Sequence, residues 1–258
     1  MRKIFNTIKI GLIVLLILIN IVVYHFLPVK VTKQFITMLV SLLNVKVTIH
    51  GNTDGLKSDN LLLMANHYDG VIDSGVLFDL YYKHNKENIL YTVVKHNIVG
   101  DPTDKSSISK LLCYIKSYFI RSLYFIPYKR GDKEDGVIVK NKIVETLETG
   151  KNILIFPEGT THKDGVSKDF RHGIFKLAVE KKMNILPITL KYSKDIGAER
   201  FDPVDFYKLF DNKLDIYIHD LIDSNLEEYY QTKDYLGLKE KVFRTIGGGA
   251  APSPPAGG

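Results

Sequence analysis

The sequence predicts an α/β domain, with a largely parallel or mixed central sheet flanked by helices, preceded by an N-terminal membrane-associated helical segment. Three observations lead there. From residue 45 onward, short apolar or β-branched runs alternate with longer stretches of helical periodicity, the pattern of a layered α/β fold. Residues 10–27 form one long apolar run beside basic residues. The chain is 45% hydrophobic with 15 Tyr and 13 Phe, enough to fill a sizeable core and unlike a disordered composition.

Residues 10–27, IGLIVLLILINIVVYHFL, are interrupted only by Asn20 and His25 and follow Arg2, Lys3 and Lys9. As a helix this run is roughly 27 Å long against a hydrocarbon core of roughly 30 Å, which fits a single crossing or a deep monotopic insertion. The bulky Tyr24, His25, Phe26 and Leu27 offer no small-residue site at which a secretory signal would be cleaved. Residues 33–45 follow, with Phe35, Ile36, Leu39, Leu42 and Leu43 at helical spacing. Two arrangements suit them equally: a hairpin with the first helix, or an amphipathic helix under the following domain. Residues 1–44 are therefore expected to form a membrane anchor.

Strands are expected at 45–50, 61–66, 89–94, 123–127, 152–156, 185–190 and 214–219, apolar on both sides as buried strands are. Helices are expected at 74–82, 106–120, 135–147, 170–181 and 226–244. Together these make one domain over 45–246. Residues 247–258, GGGAAPSPPAGG, cannot contribute to a core and read as a flexible tail outside the fold. A single cysteine, Cys113, excludes an internal disulfide and a multi-cysteine zinc site.

The formal charge is +6. Arg2, Lys3, Lys9, Lys30, Lys33 and Lys46 account for all of it, because no acidic residue occurs before residue 51 and the remainder is balanced. A neutral globular part does not suit nucleic acid. A basic foot suits anionic lipid, where each cation contributes about 1 kcal/mol.

Two segments carry chemistry. NHYDGVID, residues 66–73, follows the apolar strand at 61–65, at a strand end where α/β proteins gather reacting groups. His67 can act as a base when a carboxylate holds one ring nitrogen protonated. Asp73 is the expected orienter and Asp69 the fallback. FPEGTT, residues 156–161, follows another buried strand. Glu158, Gly159 and Thr160 supply a carboxylate, an unencumbered backbone and a hydroxyl, in a turn that can aim N–H groups at an oxygen.

Taken in order, four motifs resemble the glycerolipid acyltransferase family typified by 1-acylglycerol-3-phosphate acyltransferase. Asn66, His67 and Asp73 match the first, FIPYKRGD (125–132) with Arg130 the second, Phe156 to Thr160 the third, and ILPITL (185–190) with Pro187 the fourth; FRHGIFKLA (170–178) lies between the last two. Lys95, at the end of a strand, sits where the family commonly carries lysine. The resemblance covers residues 45–192 and departs in two places. Five residues separate His67 from Asp73 where the family usually has four, and Thr161 stands where arginine often follows FPEGT. If the whole stretch were helical, Asp73 would be turned about 240° from His67, so the two can meet only if His67 precedes the helix or a residue bulges.

The resemblance implies acyl transfer from an acyl-CoA or acyl-carrier-protein thioester to a lysophospholipid hydroxyl, with lysophosphatidic acid as the leading acceptor. Other lysolipids, or lipid binding without turnover, are the alternatives. His67, Asp73, Glu158, Gly159 and Thr160 are the expected catalytic set. Asn66, Lys95, Arg130, Phe156, Pro157, Thr161 and Pro187 are expected around the substrates. Arg130 suits an acceptor phosphate because its guanidinium is two-pronged. No G-x-S-x-G elbow, P-loop, H-E-x-x-H or dinucleotide fingerprint occurs, so no metal and no cofactor beyond the co-substrate is called for.

Overall fold

The computed structural model describes residues 28–68, 72–95, 124–129, 131–161, 169–193 and 213–247, with Ile8, Gly11, Leu12 and Leu15 singly. The expected helix at 106–120, most of the apolar run at 10–27, Asp69, Arg130 and nearly all of the tail lie outside the described residues. Seven strands form one sheet: β1 Lys46–Gly51, β2 Leu61–Ala65, β3 Leu90–Lys95, β4 Phe125–Tyr128, β5 Asn152–Ile155, β6 Asn184–Tyr192 and β7 Lys213–Ile218. Each lies within two residues of its expected position. Their spatial order is β1-β7-β6-β2-β5-β3-β4. From β6 to β4 every pairing is parallel, β7 is antiparallel to β6, and β1 is parallel to β7. The sheet is thus mixed and mostly parallel.

Helices cover both faces. α1 Pro28–Leu43 and α2 Ile72–His84 lie on one, and α3 Lys133–Glu148, α4 His172–Lys181 and α6 Tyr235–Gly247 on the other, with the short α5 Glu228–Gln231 before α6. β2 shows why the sheet is central. Leu61, Leu63 and Ala65 join the core beneath α1 and α2, while Leu62 and Met64 join the core beneath α3, α4 and α6. A strand buried on both faces must be apolar at every position. β1 departs from that expectation. It is an edge strand, mostly exposed, and it alternates Lys46, Val47, Thr48 and Ile49.

α1 begins earlier than the periodicity indicates, at Pro28, a residue suited to a first helical turn because it has no N–H to leave unpaired. It ends before Asn44, whose φ of 52° is left-handed. Ile36 and Val40 are buried in the core they share with α2. The Lys33 ammonium donates to the carbonyls of Lys86 and Asn88 and lies over the Tyr82 ring. α1 thus packs against the domain, and most of the apolar run it would pair with in a hairpin lies outside the described residues. Burial, reinforced by Lys151, lowers the Lys33 pKa. No helix among the described residues is long and apolar enough to cross a membrane.

The continuous helix expected at 226–244 is broken. α5 ends at Gln231, Lys233 adopts a left-handed φ of 57°, and the Asp234 carboxylate accepts the Gly237 N–H at 2.9 Å to start α6. An aspartate at an N-cap outcompetes continuation of the helix.

Asn152, at the start of β5, is fully buried and joins three segments. Its carbonyl accepts the Leu61 N–H at 2.9 Å, and its amide donates to Ser58 O at 2.7 Å and to the Tyr81 hydroxyl at 3.0 Å. Replacing it strands the Leu61 N–H inside the core, where an unpaired donor costs about 1–3 kcal/mol on top of the lost bonds. Asn152→Ala is expected to lower stability by about 2–4 kcal/mol in urea unfolding; a loss below about 1 kcal/mol would show that Asn152 does not anchor these strands.

Candidate active site

Five neighbouring strands, β6, β2, β5, β3 and β4, run parallel, so their carboxyl ends open on one edge. Groups needed together in an α/β protein are brought together there. β2 and β5 are adjacent, which places His67, two residues beyond β2, beside the loop that begins at Phe156. The contact is direct. The His67 N–H donates to Glu158 Oε1 at 3.2 Å, and the imidazole stacks on the Phe156 ring with centroids 4.0 Å apart and planes 17° from parallel.

The five-residue spacing between His67 and Asp73 is accommodated by the first of the two expected routes. His67 lies in the loop after β2, and α2 does not begin until Ile72, so Asp73 occupies its first turn. His67 Nδ1 and Asp73 Oδ2 are 3.0 Å apart, with the His67 side chain 15% exposed and the Asp73 side chain 0%. A carboxylate only accepts, so Nδ1 carries the proton and Nε2 is left as the basic nitrogen. The same Oδ2 accepts the Tyr68 N–H at 2.6 Å, and Oδ1 accepts the Tyr192 hydroxyl at 2.6 Å. The positive end of α2 also favours an anion at this position.

Asn66 is turned into the sheet. Its amide donates to Leu190 O at 2.9 Å and its carbonyl accepts the Leu190 N–H at 2.7 Å. The side chain thereby behaves as one further residue of β2 paired with β6. It fixes the ends of both strands, and His67 follows at once.

In the loop after β5, Pro157 and Glu158 are buried while Gly159, Thr160 and Thr161 are half-buried. Gly159 has φ of 66°, a left-handed conformation that a side chain would strain. Its N–H donates to Phe156 O at 3.0 Å, closing the turn. Pro157 O accepts the Arg171 N–H at 2.8 Å, which ties the loop to the start of α4. The motif at 170–178 is therefore built into the frame: Phe170, Phe175 and Ala178 are core residues.

Lys95 ends β3, exposed, at the same edge and one strand beyond β5. β4, which pairs with β3, ends at Tyr128, and Asp132 caps α3 by accepting the Glu134 and Asp135 N–H groups; Arg130 between them lies outside the described residues. Pro187 lies apart from the edge, buried within β6 opposite Met64, its carbonyl accepting the His219 N–H at 3.1 Å. Sequence reasoning missed Tyr192 and the bond between Asn66 and Leu190. The one local sign was the ITLKY ending of the fourth-motif strand, where Leu190 and Tyr192 fall on one side.

The family model described as Acyltransferase matches residues 46–191. A 1-acyl-sn-glycerol-3-phosphate acyltransferase of Borreliella burgdorferi is 23% identical over 208 residues, 80% of this chain and 73% of the relative. A lyso-ornithine lipid O-acyltransferase of Pseudomonas aeruginosa is 31% identical over 66 residues, covering 26% of each chain. The crystal structure of the 1-acyl-sn-glycerophosphate (LPA) acyltransferase PlsC from Thermotoga maritima has the same fold, with a TM-score of 0.58 over 95% of this chain and 98% of that one, at 18% identity. The chain belongs to the acyltransferase family and is an enzyme similar to its 1-acyl-sn-glycerol-3-phosphate acyltransferases.

Proposed function

We propose that the protein transfers a fatty acyl group from a coenzyme A or acyl-carrier-protein thioester to the free hydroxyl of lysophosphatidic acid, with His67 as the base. The observation that carries this reading is the 3.0 Å contact between His67 Nδ1 and the fully buried Asp73 carboxylate. Nε2 takes the proton of the acceptor hydroxyl as its oxygen attacks the thioester carbonyl. The tetrahedral intermediate then expels the thiolate, which takes the proton back from His67. The products are the ester and the free thiol, and the enzyme ends as it began. Asp73 stabilises the imidazolium between the two transfers.

The intermediate's oxyanion needs a donor, and one well-aimed N–H is worth about 3 kcal/mol. Because the Gly159 N–H already closes its turn, this reading assigns the donor to the backbone from Thr160 onward. Glu158, buried and bonded to the His67 N–H, orders the loop. Arg130 receives the acceptor phosphate, with Lys95 at the end of β3 as a second cation for it. Residues 1–44 attach the enzyme to the bilayer, in one crossing or by insertion, and no cofactor is required.

A second acceptor class has its own support in the likeness to an enzyme named for lyso-ornithine lipid. Purified protein offered a panel of lysolipids with acyl-CoA and acyl-carrier-protein donors is expected to favour lysophosphatidic acid. Preference for a phosphate-free lysolipid would move the assignment, and binding without turnover would replace it with a lipid-binding role. In that assay His67→Ala is expected to lower kcat by about 10²–10⁴-fold with fold and membrane binding retained; retained turnover would remove His67 as the base. Arg130→Ala is expected to raise the acceptor KM with little change in kcat. An unchanged acceptor dependence would take Arg130 out of the phosphate site.

A further inference from the structure

Tyr192 belongs to none of the motif positions that mark the site, yet its hydroxyl donates to Asp73 Oδ1 at 2.6 Å. We propose that Tyr192 is a positioning residue for the His67–Asp73 pair, holding the second carboxylate oxygen so that the first stays aimed at Nδ1. This rests on the reading of His67 as the base. Oδ2 serves two donors, His67 Nδ1 and the Tyr68 N–H. Rotation about the carboxylate bond would break both, and the carboxylate is closed to solvent. A hydroxyl on Oδ1 opposes that rotation.

Tyr192 is itself held firmly. It ends β6, two residues beyond the Leu190 peptide gripped by Asn66, and it pairs in register with Leu214 of β7. The Ser193 N–H donates to Lys213 O at 2.9 Å. The Tyr192 and Tyr68 rings pack T-shaped, with centroids 5.5 Å apart and an interplanar angle of 76°. Thus β6 supplies a rigid post, and the loop that carries His67 is fastened to it through Asp73 and Tyr68.

The hydroxyl also tunes the pair. A hydrogen bond to a carboxylate draws off part of its charge, so removing it leaves Asp73 a stronger partner for the imidazolium. Among the described residues, the charged groups bonded to His67 are Asp73 from α2, at the ring, and Glu158 from the loop after β5, at the backbone N–H; a Tyr192 substitution retains both.

Tyr192→Phe keeps the ring and its packing. The expected result is a kcat about tenfold lower with both KM values unchanged, and the acid limb of the kcat–pH profile moved up by about half a unit. NMR titration of the His67 ring in the resting protein should move upward by the same amount. Fluorination of the Tyr192 ring, which strengthens its hydroxyl as a donor, should move that titration downward and covers the case in which Tyr192→Phe fails to fold. An unchanged kcat and unchanged titrations would overturn the proposal. So would lower activity with reduced thermal stability and an unmoved His67 titration, which marks a role in folding alone. A shifted titration in a protein that shows no acyl transfer with any donor would support the positioning role and overturn the proposed function.

Discussion

Burial of the Asp73 carboxylate is the constraint around which the candidate site is arranged. An ionised group shut away from water is tolerated only when each oxygen has donors, and here its donors include the ring of His67, the backbone of Tyr68 and the hydroxyl at the end of β6. Each is thereby fixed relative to the others. The need to satisfy the charge and, in the proposed mechanism, the need to aim a base are met by the same contacts. The first turn of α2 adds a favourable field without a further side chain.

The sheet supplies the stiffness behind this arrangement. β2 lies between β5 and β6, so the loop leaving it is flanked on one side by the turn of Phe156 to Gly159 and on the other by Tyr192. Phe156 covers a face of the imidazole, Glu158 holds the His67 backbone, and Arg171 ties that turn to α4. The FRHGIFKLA segment therefore serves the site from a distance, through Phe170 and Phe175 in the core beneath it.

Much of this was legible in the chain. The central strands are continuous apolar runs and the exposed edge strand β1 is still marked by β-branched Val47, Thr48 and Ile49, so all seven could be placed, and the His and Glu motifs sit directly after two of them. The reversed direction of β7 was not legible, because an apolar strand reads the same whether its neighbour runs with it or against it. Tyr192 to Asp73 and Asn66 to Leu190 bridge 119 and 124 residues, and no local periodicity encodes such pairs. The break at Lys233 was hidden for the opposite reason: Asp234 is one capping residue in an otherwise helical run, and an isolated cap signal is weak beside that periodicity. Pro28 and Asn44 bound α1 by backbone conformation rather than by hydrophobicity, so the apolar pattern alone placed its start too late.

The grip of Asn66 on Leu190 has a consequence for observing the enzyme. A backbone amide whose acceptor is a side chain exchanges its hydrogen only when that side chain lets go, and here letting go means parting the ends of β2 and β6. The Leu190 amide is thus a built-in gauge of opening at the carboxyl edge of the sheet. Its deuterium uptake reports, without substrate or turnover, how often the platform beneath His67 and Asp73 comes apart.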